Sequence, residues 1–164
     1  MKVVFLDRDG VINKKIENGY VLDWKDFEFL PDVDRAIKLL NEKNIPVIII
    51  SNQACVGKAL ISDSKLNDIN NRMIRELGSK GAWIDDVFVC PHRSDENCDC
   101  RKPKTGLFRQ AAAKHDIDLK GSWFIGDSDT DVEAGKRAGC RTYKIKEGDP
   151  LPRVIKQILS QNTP

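Results

Sequence analysis

Four short stretches of the chain hold side chains suited to chemistry. "DRDG" sets Asp7 and Asp9 in front of Gly10, "SNQ" presents Ser51 and Asn52, "RKP" carries Arg101 and Lys102, and "GDSDTD" carries Asp127 and Asp131. Carboxylates at i and i+2 of an extended backbone point the same way. Held that close, they repel one another and attract a divalent cation. Alone, the Asp7/Asp9 pair is equally a charged turn. In company with hydroxyl and amide donors and a lysine, it matches what phosphoryl transfer demands. An anionic carboxylate has to approach an anionic phosphate, and a hard cation bound by oxygens, Mg²⁺ or Mn²⁺, offsets the repulsion. Lysine neutralises charge on the transferring group, and hydroxyl and amide donors orient it.

A second concentration of ligands is "CPHRSDENCDC", where Cys90, His92, Cys98 and Cys100 form C-x-H, five residues, then C-x-C. Three thiolates and one imidazole are a closed structural zinc set with no open position for chemistry. A disulfide pair or free thiols is the plainer alternative; the odd total of five cysteines argues against a fully paired framework. The loop is too polar to hold itself by a core, so a bound Zn²⁺ would do it. What the metal would fix is Arg101 and Lys102, as a staple for the substrate-binding edge. Cys55 and Cys140 lie outside the cluster and read as small buried side chains. His115 reads as a surface residue near a helix end.

These residues must be positioned by something, and the apolar pattern says what. Strand-like runs at 2–6, 45–51, 84–90, 122–127 and 140–145 alternate with helical stretches at 32–44, 63–81, 105–116, 129–139 and 151–160. Val33, Ile37 and Leu40 show the helical spacing, while "IPVIIIS" is apolar on both faces, as in a covered parallel strand. The β-α order predicts an α/β fold: an open, Rossmann-like parallel sheet with helices on both faces. Ligands of such sheets bind outside the carboxyl ends of the strands. Three of the four chemical stretches fall there.

At 164 residues the chain suits a single domain over 1–164 with one real hydrophobic core. A net charge of +2 argues against a non-specific nucleic-acid binder. No run reaches the roughly 18 apolar residues of a membrane span. "MKVVFL" is too short for a signal peptide and stops at charge. The expectation is a cytoplasmic protein without membrane or nucleic-acid partners, monomeric unless an oligomer covers its site. The tail "SQNTP" is expected to fray.

In this order and at these spacings, "DRDGVIN", "ISNQ", "RKP" and "GDSDTD" resemble the haloacid dehalogenase superfamily of phosphohydrolases. With "GYV", "FEFLPD", "CPH" and "CDCRKP" added, the chain is similar to the branch that contains D-glycero-D-manno-heptose 1,7-bisphosphate phosphatases and histidinol-phosphate phosphatases. The resemblance covers roughly residues 2–140. It implies Asp7 as nucleophile, forming an aspartyl-phosphate, and Asp9 as general acid and then general base. It implies Mg²⁺ held by the Asp7 side chain, the Asp9 backbone carbonyl and Asp127. Ser51 and Asn52 would bind the transferring phosphoryl group and Lys102 would neutralise it. Asp131 would orient Lys102 or a metal-bound water, or simply serve the first turn of its helix. Arg101 would reach the rest of a small phosphorylated metabolite by a bidentate contact.

The segments 11–31 and 84–101 are too short for a cap domain, so the resemblance implies a core framed only by a flap and the zinc loop. Cys55, Lys58 and Ala59 depart from the Gly and Arg-Gly of the branch, and Ser128 stands where it has Lys or Arg. These departures touch substrate contacts and leave the nucleophile alone. "NGYV" and "FEFLPD" favour the heptose bisphosphate over histidinol phosphate. Two readings come from other classes. A receiver domain would need its phospho-acceptor Asp after a later strand, where Ser51-Asn52 and Cys90 stand instead. A zinc-loop binding module predicts a basic face and no need for Asp7.

Overall fold

A computed structural model describes residues 1–161. The elements are β1 (Val4–Leu6), α1 (Val33–Asn41), β2 (Val47–Asn52), α2 (Asp63–Ser79), β3 (Asp86–Cys90), α3 (Gly106–His115), β4 (Trp123–Gly126), α4 (Asp129–Ala138), β5 (Arg141–Lys144) and α5 (Leu151–Ser160). Every strand and helix read from the sequence is present; most are shorter by one to a few residues, α5 matches its expected bounds, and β2 runs one residue further, to Asn52. Two 3-10 turns, Trp24–Asp26 in the flap and Ser94–Glu96 in the cysteine loop, were not expected. Of the tail, Ser160 closes α5, and residues 162–164 lie outside the described residues.

The five strands are parallel in the order β3-β2-β1-β4-β5. The chain therefore builds outward from β1 to β3, then returns to the other side of β1. That reversal opens a crevice at the carboxyl ends of β1 and β4, where open α/β sheets bind ligands. Period-2 alternation divides the core between two faces. Val4, Leu6, Val47, Ile49 and Ile125 pack under α1, α2 and α5. Val3, Phe5, Ile48, Ile50 and Phe124 pack under α3 and α4, where Phe108 meets Phe5 and Phe124 edge-on at 5.2 and 5.1 Å. Each such fully buried side chain contributes roughly 1.5–3 kcal/mol relative to exposure. Cys55 and Cys140 are buried as expected.

Between β1 and α1 the chain folds back as a flap. Lys14 N–H donates to Glu28 at 2.8 Å and Leu30 N–H to Ile12 at 3.0 Å. Trp24 stacks on Phe27 with centroids 4.7 Å apart, and Arg72 of α2 lies 4.8 Å over the Trp24 ring. These contacts tie the flap to α2. No large cap domain interrupts the described residues. Among them no helix is long and apolar enough to cross a membrane.

Candidate active site

The crevice gathers Asp7, Asp127, Asp131 and Lys102. Asp7 leaves β1 with its N–H bonded to the Ile125 carbonyl of β4 at 2.9 Å, which places it beside the end of the neighbouring strand. Lys102 Nζ stands 2.9 Å from Asp7 Oδ1 and 2.6 Å from Asp131 Oδ1, and it donates to the Ile50 carbonyl at 3.1 Å. Arg8 N–H also donates to Asp7 Oδ1, so these contacts leave Asp7 Oδ2 to face a ligand. Two glycines make the approach possible. Gly10 has φ +90°, and a Cβ there would collide with Asp127 Oδ2; a Cβ on Gly126 would collide with Asp131.

Asp131 contacts Lys102 and also caps its own helix. Its Oδ1 takes Lys102, while Oδ2 accepts from the Ser128 hydroxyl at 2.8 Å and from the Ser128 and Asp127 N–H groups at 3.2 Å. Ser128 Oγ in turn accepts from Asp131 N–H at 3.1 Å, closing a capping box on α4. Ser128, one of the departures in the sequence, is thus the N-cap.

The electrostatics follow from burial. Burial pushes the Asp7 carboxyl up to about 7, with Asp131 and Asp9 adding to the push and Lys102 opposing it. Burial alone would drive Lys102 down, but the Asp7 and Asp131 charges hold it above the usual lysine range. Asp131 is also desolvated, yet Lys102 and Ser128 keep it below the usual carboxylate range. Burial raises Asp127 despite Lys15.

Asp9 is gripped separately. Its Oδ1 accepts from Asn13 Nδ2 at 2.9 Å and Arg8 Nη2 at 3.2 Å, and its Oδ2 from Gln53 Nε2 at 2.6 Å. Arg8 is fully buried and also donates to Asn70 Oδ1 at 3.0 Å. Burial would raise Asp9, but the Arg8 charge and the three side-chain bonds hold it below the ordinary range. Ser51 is buried and its Oγ accepts from Gln53 Nε2 at 2.8 Å. The Asn52 side chain clasps the Lys102 backbone twice, accepting from its N–H at 3.0 Å and donating to its carbonyl at 3.2 Å. This clasp uses one hydrogen of the Asn52 amide nitrogen and leaves the second for another acceptor.

The carboxylates that could hold a cation are Asp7, Asp127 and Asp131, whose oxygens lie within 4.8 Å of one another. Asp131 is committed to Lys102 and its cap, so the side chains open to the ion are Asp7 and Asp127. An all-oxygen set of this kind fits Mg²⁺.

In the cysteine loop, Cys90 Sγ lies 3.6 Å from Cys98 Sγ and 3.5 Å from His92 Nδ1, and His92 Nδ1 lies 3.2 Å from Cys100 Sγ. A tetrahedron with metal–sulfur bonds of about 2.3 Å has sulfur–sulfur edges of about 3.8 Å, so the four groups fit one Zn²⁺. Burial opposes ionisation of Cys98, but the Arg101 and Cys100 N–H groups pull its thiol down to about 7. Arg101 donates Nη1 to the His92 carbonyl at 3.3 Å, which binds it to the loop. A cavity of about 460 Å³ beside this loop is lined by His92, Cys98, Cys100 and Arg109, and by none of the four carboxylates.

Comparison with known proteins shows the family to which the chain belongs. A family model described as HAD-hydrolase-like matches residues 99–160. The D-glycero-beta-D-manno-heptose-1,7-bisphosphate 7-phosphatase of Bordetella bronchiseptica is 36% identical over 149 residues, covering 91% of this chain and 83% of the relative. The D-glycero-alpha-D-manno-heptose-1,7-bisphosphate 7-phosphatase of Photorhabdus laumondii is 37% identical over 171 residues, covering 99% and 92%. The crystal structure of the B. bronchiseptica D,D-heptose 1,7-bisphosphate phosphatase complexed with magnesium and phosphate superposes with a TM-score of 0.90 at 32% identity, covering 98% of this chain and 99% of that one. The chain belongs to this family of haloacid dehalogenase phosphatases.

Several residues that shape this family member's site carry no sequence signal of their own. Arg8, between the two aspartates, Gln53, after Ser51 and Asn52, and Lys15, in the flap, are not singled out by residue type or spacing. Lys15 Nζ lies 3.0 Å from Asp127 Oδ2. Lys58, a departure in the sequence, stands 5.1 Å over the Tyr20 ring of the flap. His115 is not a bare surface residue either: its Nε2 lies 2.7 Å from Asp86 Oδ2. The signal that could have found Arg8 is its place between the two carboxylates, which is half-enclosed wherever β1 is central.

Proposed function

We propose that the chain is a Mg²⁺-dependent phosphatase that removes the C7 phosphate of D-glycero-D-manno-heptose 1,7-bisphosphate through an aspartyl-phosphate. The observation that carries this is the buried Lys102, held between Asp7 and Asp131 at the carboxyl edge of the sheet. It supports a nucleophile kept beside its counter-charge. The heptose preference rests on relatives of both anomeric types at 36–37% identity.

Asp7, Asp127 and the Asp9 backbone carbonyl would hold Mg²⁺, whose charge offsets the repulsion between carboxylate and phosphate. Asp7 attacks phosphorus. The bond to the sugar oxygen breaks with its electron pair on that oxygen, and Asp9 delivers a proton there. Asp9, now a carboxylate, takes a proton from water as the water oxygen attacks the aspartyl-phosphate, and the pair in the broken bond returns to Asp7. Ser51 donates its hydroxyl to a phosphoryl oxygen and Lys102 neutralises the group. Asn52 places Lys102 through its backbone, and Asp131 orients the ammonium. Arg101 would reach the second phosphate from the loop whose Cys90, His92, Cys98 and Cys100 would hold Zn²⁺ as a structural staple. One domain over 1–164 carries this open site, and its thiol-rich loop suits a reducing cytoplasm.

The test is phosphate release with Mg²⁺ from both anomers of the heptose 1,7-bisphosphate, from histidinol phosphate and from common sugar phosphates, with Asp7→Asn as control. Release from a heptose anomer that the variant loses supports the reading. Preference for histidinol phosphate would move the substrate, and no release from any member would remove the phosphatase reading itself.

A further inference from the structure

Gln53 is almost wholly buried just past the end of β2, with its N–H bonded to the Cys90 carbonyl at 2.8 Å. A buried glutamine needs partners whatever its function. What sets this one apart is which partners it has. A single amide nitrogen reaches Asp9 Oδ2 at 2.6 Å and Ser51 Oγ at 2.8 Å. Its two hydrogens thus go to the carboxyl that moves the proton and to the hydroxyl that meets the phosphoryl group. Because Ser51 Oγ accepts from Gln53, its own hydrogen is left to point at an anion. In the structure the amide nitrogen faces both Asp9 Oδ2 and Ser51 Oγ, which turns Oε1 the other way. Cys55 agrees with it: its Sγ lies 3.7 Å from Gln53 Oε1 and 3.7 Å from the Gln53 backbone carbonyl, so its weak S–H donation is shared between the two acceptors. Cys55 is the residue that stands in place of a glycine, and the structure gives its side chain a task there.

Granted the phosphatase reading, we infer that Gln53 is a positioning residue that sets the Asp9 carboxyl and the Ser51 hydroxyl together, and that Cys55 fixes the orientation of its amide. With Gln53 gone, one Asp9 oxygen loses its anchor and the Ser51 hydroxyl is free to rotate, while Asp7, Lys102 and Asp131 keep their contacts. The loss then falls on proton delivery to the departing oxygen. A sugar alkoxide needs that proton as the P–O bond breaks, whereas p-nitrophenolate leaves without it.

The experiment compares single-turnover P–O cleavage of the heptose 1,7-bisphosphate with the p-nitrophenol burst from p-nitrophenyl phosphate, in wild type, Gln53→Leu and Cys55→Ala. For Gln53→Leu the expected loss is about 100-fold on the sugar phosphate and less than about 5-fold on the aryl phosphate. Cys55→Ala should show the same selectivity at roughly 3- to 10-fold. A shared rise in KM would report the loosened Ser51 hydroxyl. Equal loss on both substrates, or no loss on either, overturns the inference. Should Gln53→Leu fail to fold, Gln53→Met and Cys55→Ala carry the same comparison. A wild type inert on both substrates would instead sink the phosphatase reading, so the two failures are distinguishable.

Discussion

Lys102 Nζ and Asp131 Oδ1 stand 2.6 Å apart, both side chains almost fully buried. Asp7 shares the same ammonium at 2.9 Å. Removing the shared ammonium strands both carboxylates, at a cost of about 3–5 kcal/mol, whereas Lys102 without Asp7 keeps Asp131. Lys102→Met leaves two desolvated carboxylates facing each other, so it should lose roughly that much in urea unfolding and abolish turnover. Asp131→Asn keeps the volume but loosens Lys102 and weakens the cap on α4. Its kcat should fall roughly 10- to 100-fold with a smaller stability loss. Stability unchanged in Lys102→Met would contradict the buried pairing.

Asp7 gives a pH dependence whose sign is fixed by its raised carboxyl. Its folded pKa, pushed up to about 7 by burial, lies above the unfolded carboxylate value of 3.8. Between these values the folded chain binds more protons than the unfolded one, so this group makes stability fall as pH rises. Below the unfolded value the contribution is flat, and above about pH 7 the full penalty is present. Asp7→Asn removes it. With chelator present, the variant should melt above wild type at pH 8 and near it at pH 4. Mg²⁺ should raise the wild-type melting temperature at pH 8 and leave the variant almost unmoved. A variant that melts below wild type at pH 8 would count against the raised carboxyl.

The thiols make a separate prediction. Burial pushes Cys140 up to about 12 and raises Cys55 as well, so neither should react with a thiol reagent in the native chain at pH 8. With Zn²⁺ bound, Cys90, Cys98 and Cys100 should also be silent. Strong chelation should expose those three and release one equivalent of zinc. Once the chelator is removed and Mg²⁺ restored, the zinc-free chain should show a raised KM through the loosened Arg101 while Asp7 still forms the aspartyl-phosphate. Three reactive thiols without any zinc release would remove the metal from the loop.

What was legible in the sequence was whatever is local. "DRDG", "SNQ" and "GDSDTD" stand at the ends of short apolar runs that announce strands, and the cysteine loop keeps its four candidate ligands within eleven residues. What was not legible depends on chain segments meeting across the sheet. Asn52 clasps a backbone 50 positions away, and Lys15 meets Asp127 across 112. Arg8 reads as a charged surface residue because arginine so rarely lies inside. The Asp9, Asn70 and Phe27 side chains around it, from the turn after β1, α2 and the flap, make its burial tolerable.

Lys15 leads to the last prediction. Its ammonium lies 3.0 Å from Asp127 Oδ2, and its side chain is 55% exposed, so it can leave the carboxylate at little cost. Asp127 is one of the two side chains open to the cation, and that oxygen cannot serve lysine and Mg²⁺ fully at once. Lys15→Met should therefore tighten Mg²⁺ binding, measured by calorimetry without substrate. A half-exposed pair is worth about 0.2–1 kcal/mol, which corresponds to roughly 1.5- to 5-fold. General loss of positive charge would also favour the cation, so Lys14→Met is the control. Lys14 sits next door, pairs with Glu28 at 3.7 Å and has no contact with Asp127. Tightening in Lys15→Met alone would establish competition at Asp127. Equal tightening in both variants would reduce it to a field effect, and no change in either would mean that Lys15 lies aside whenever the ion binds.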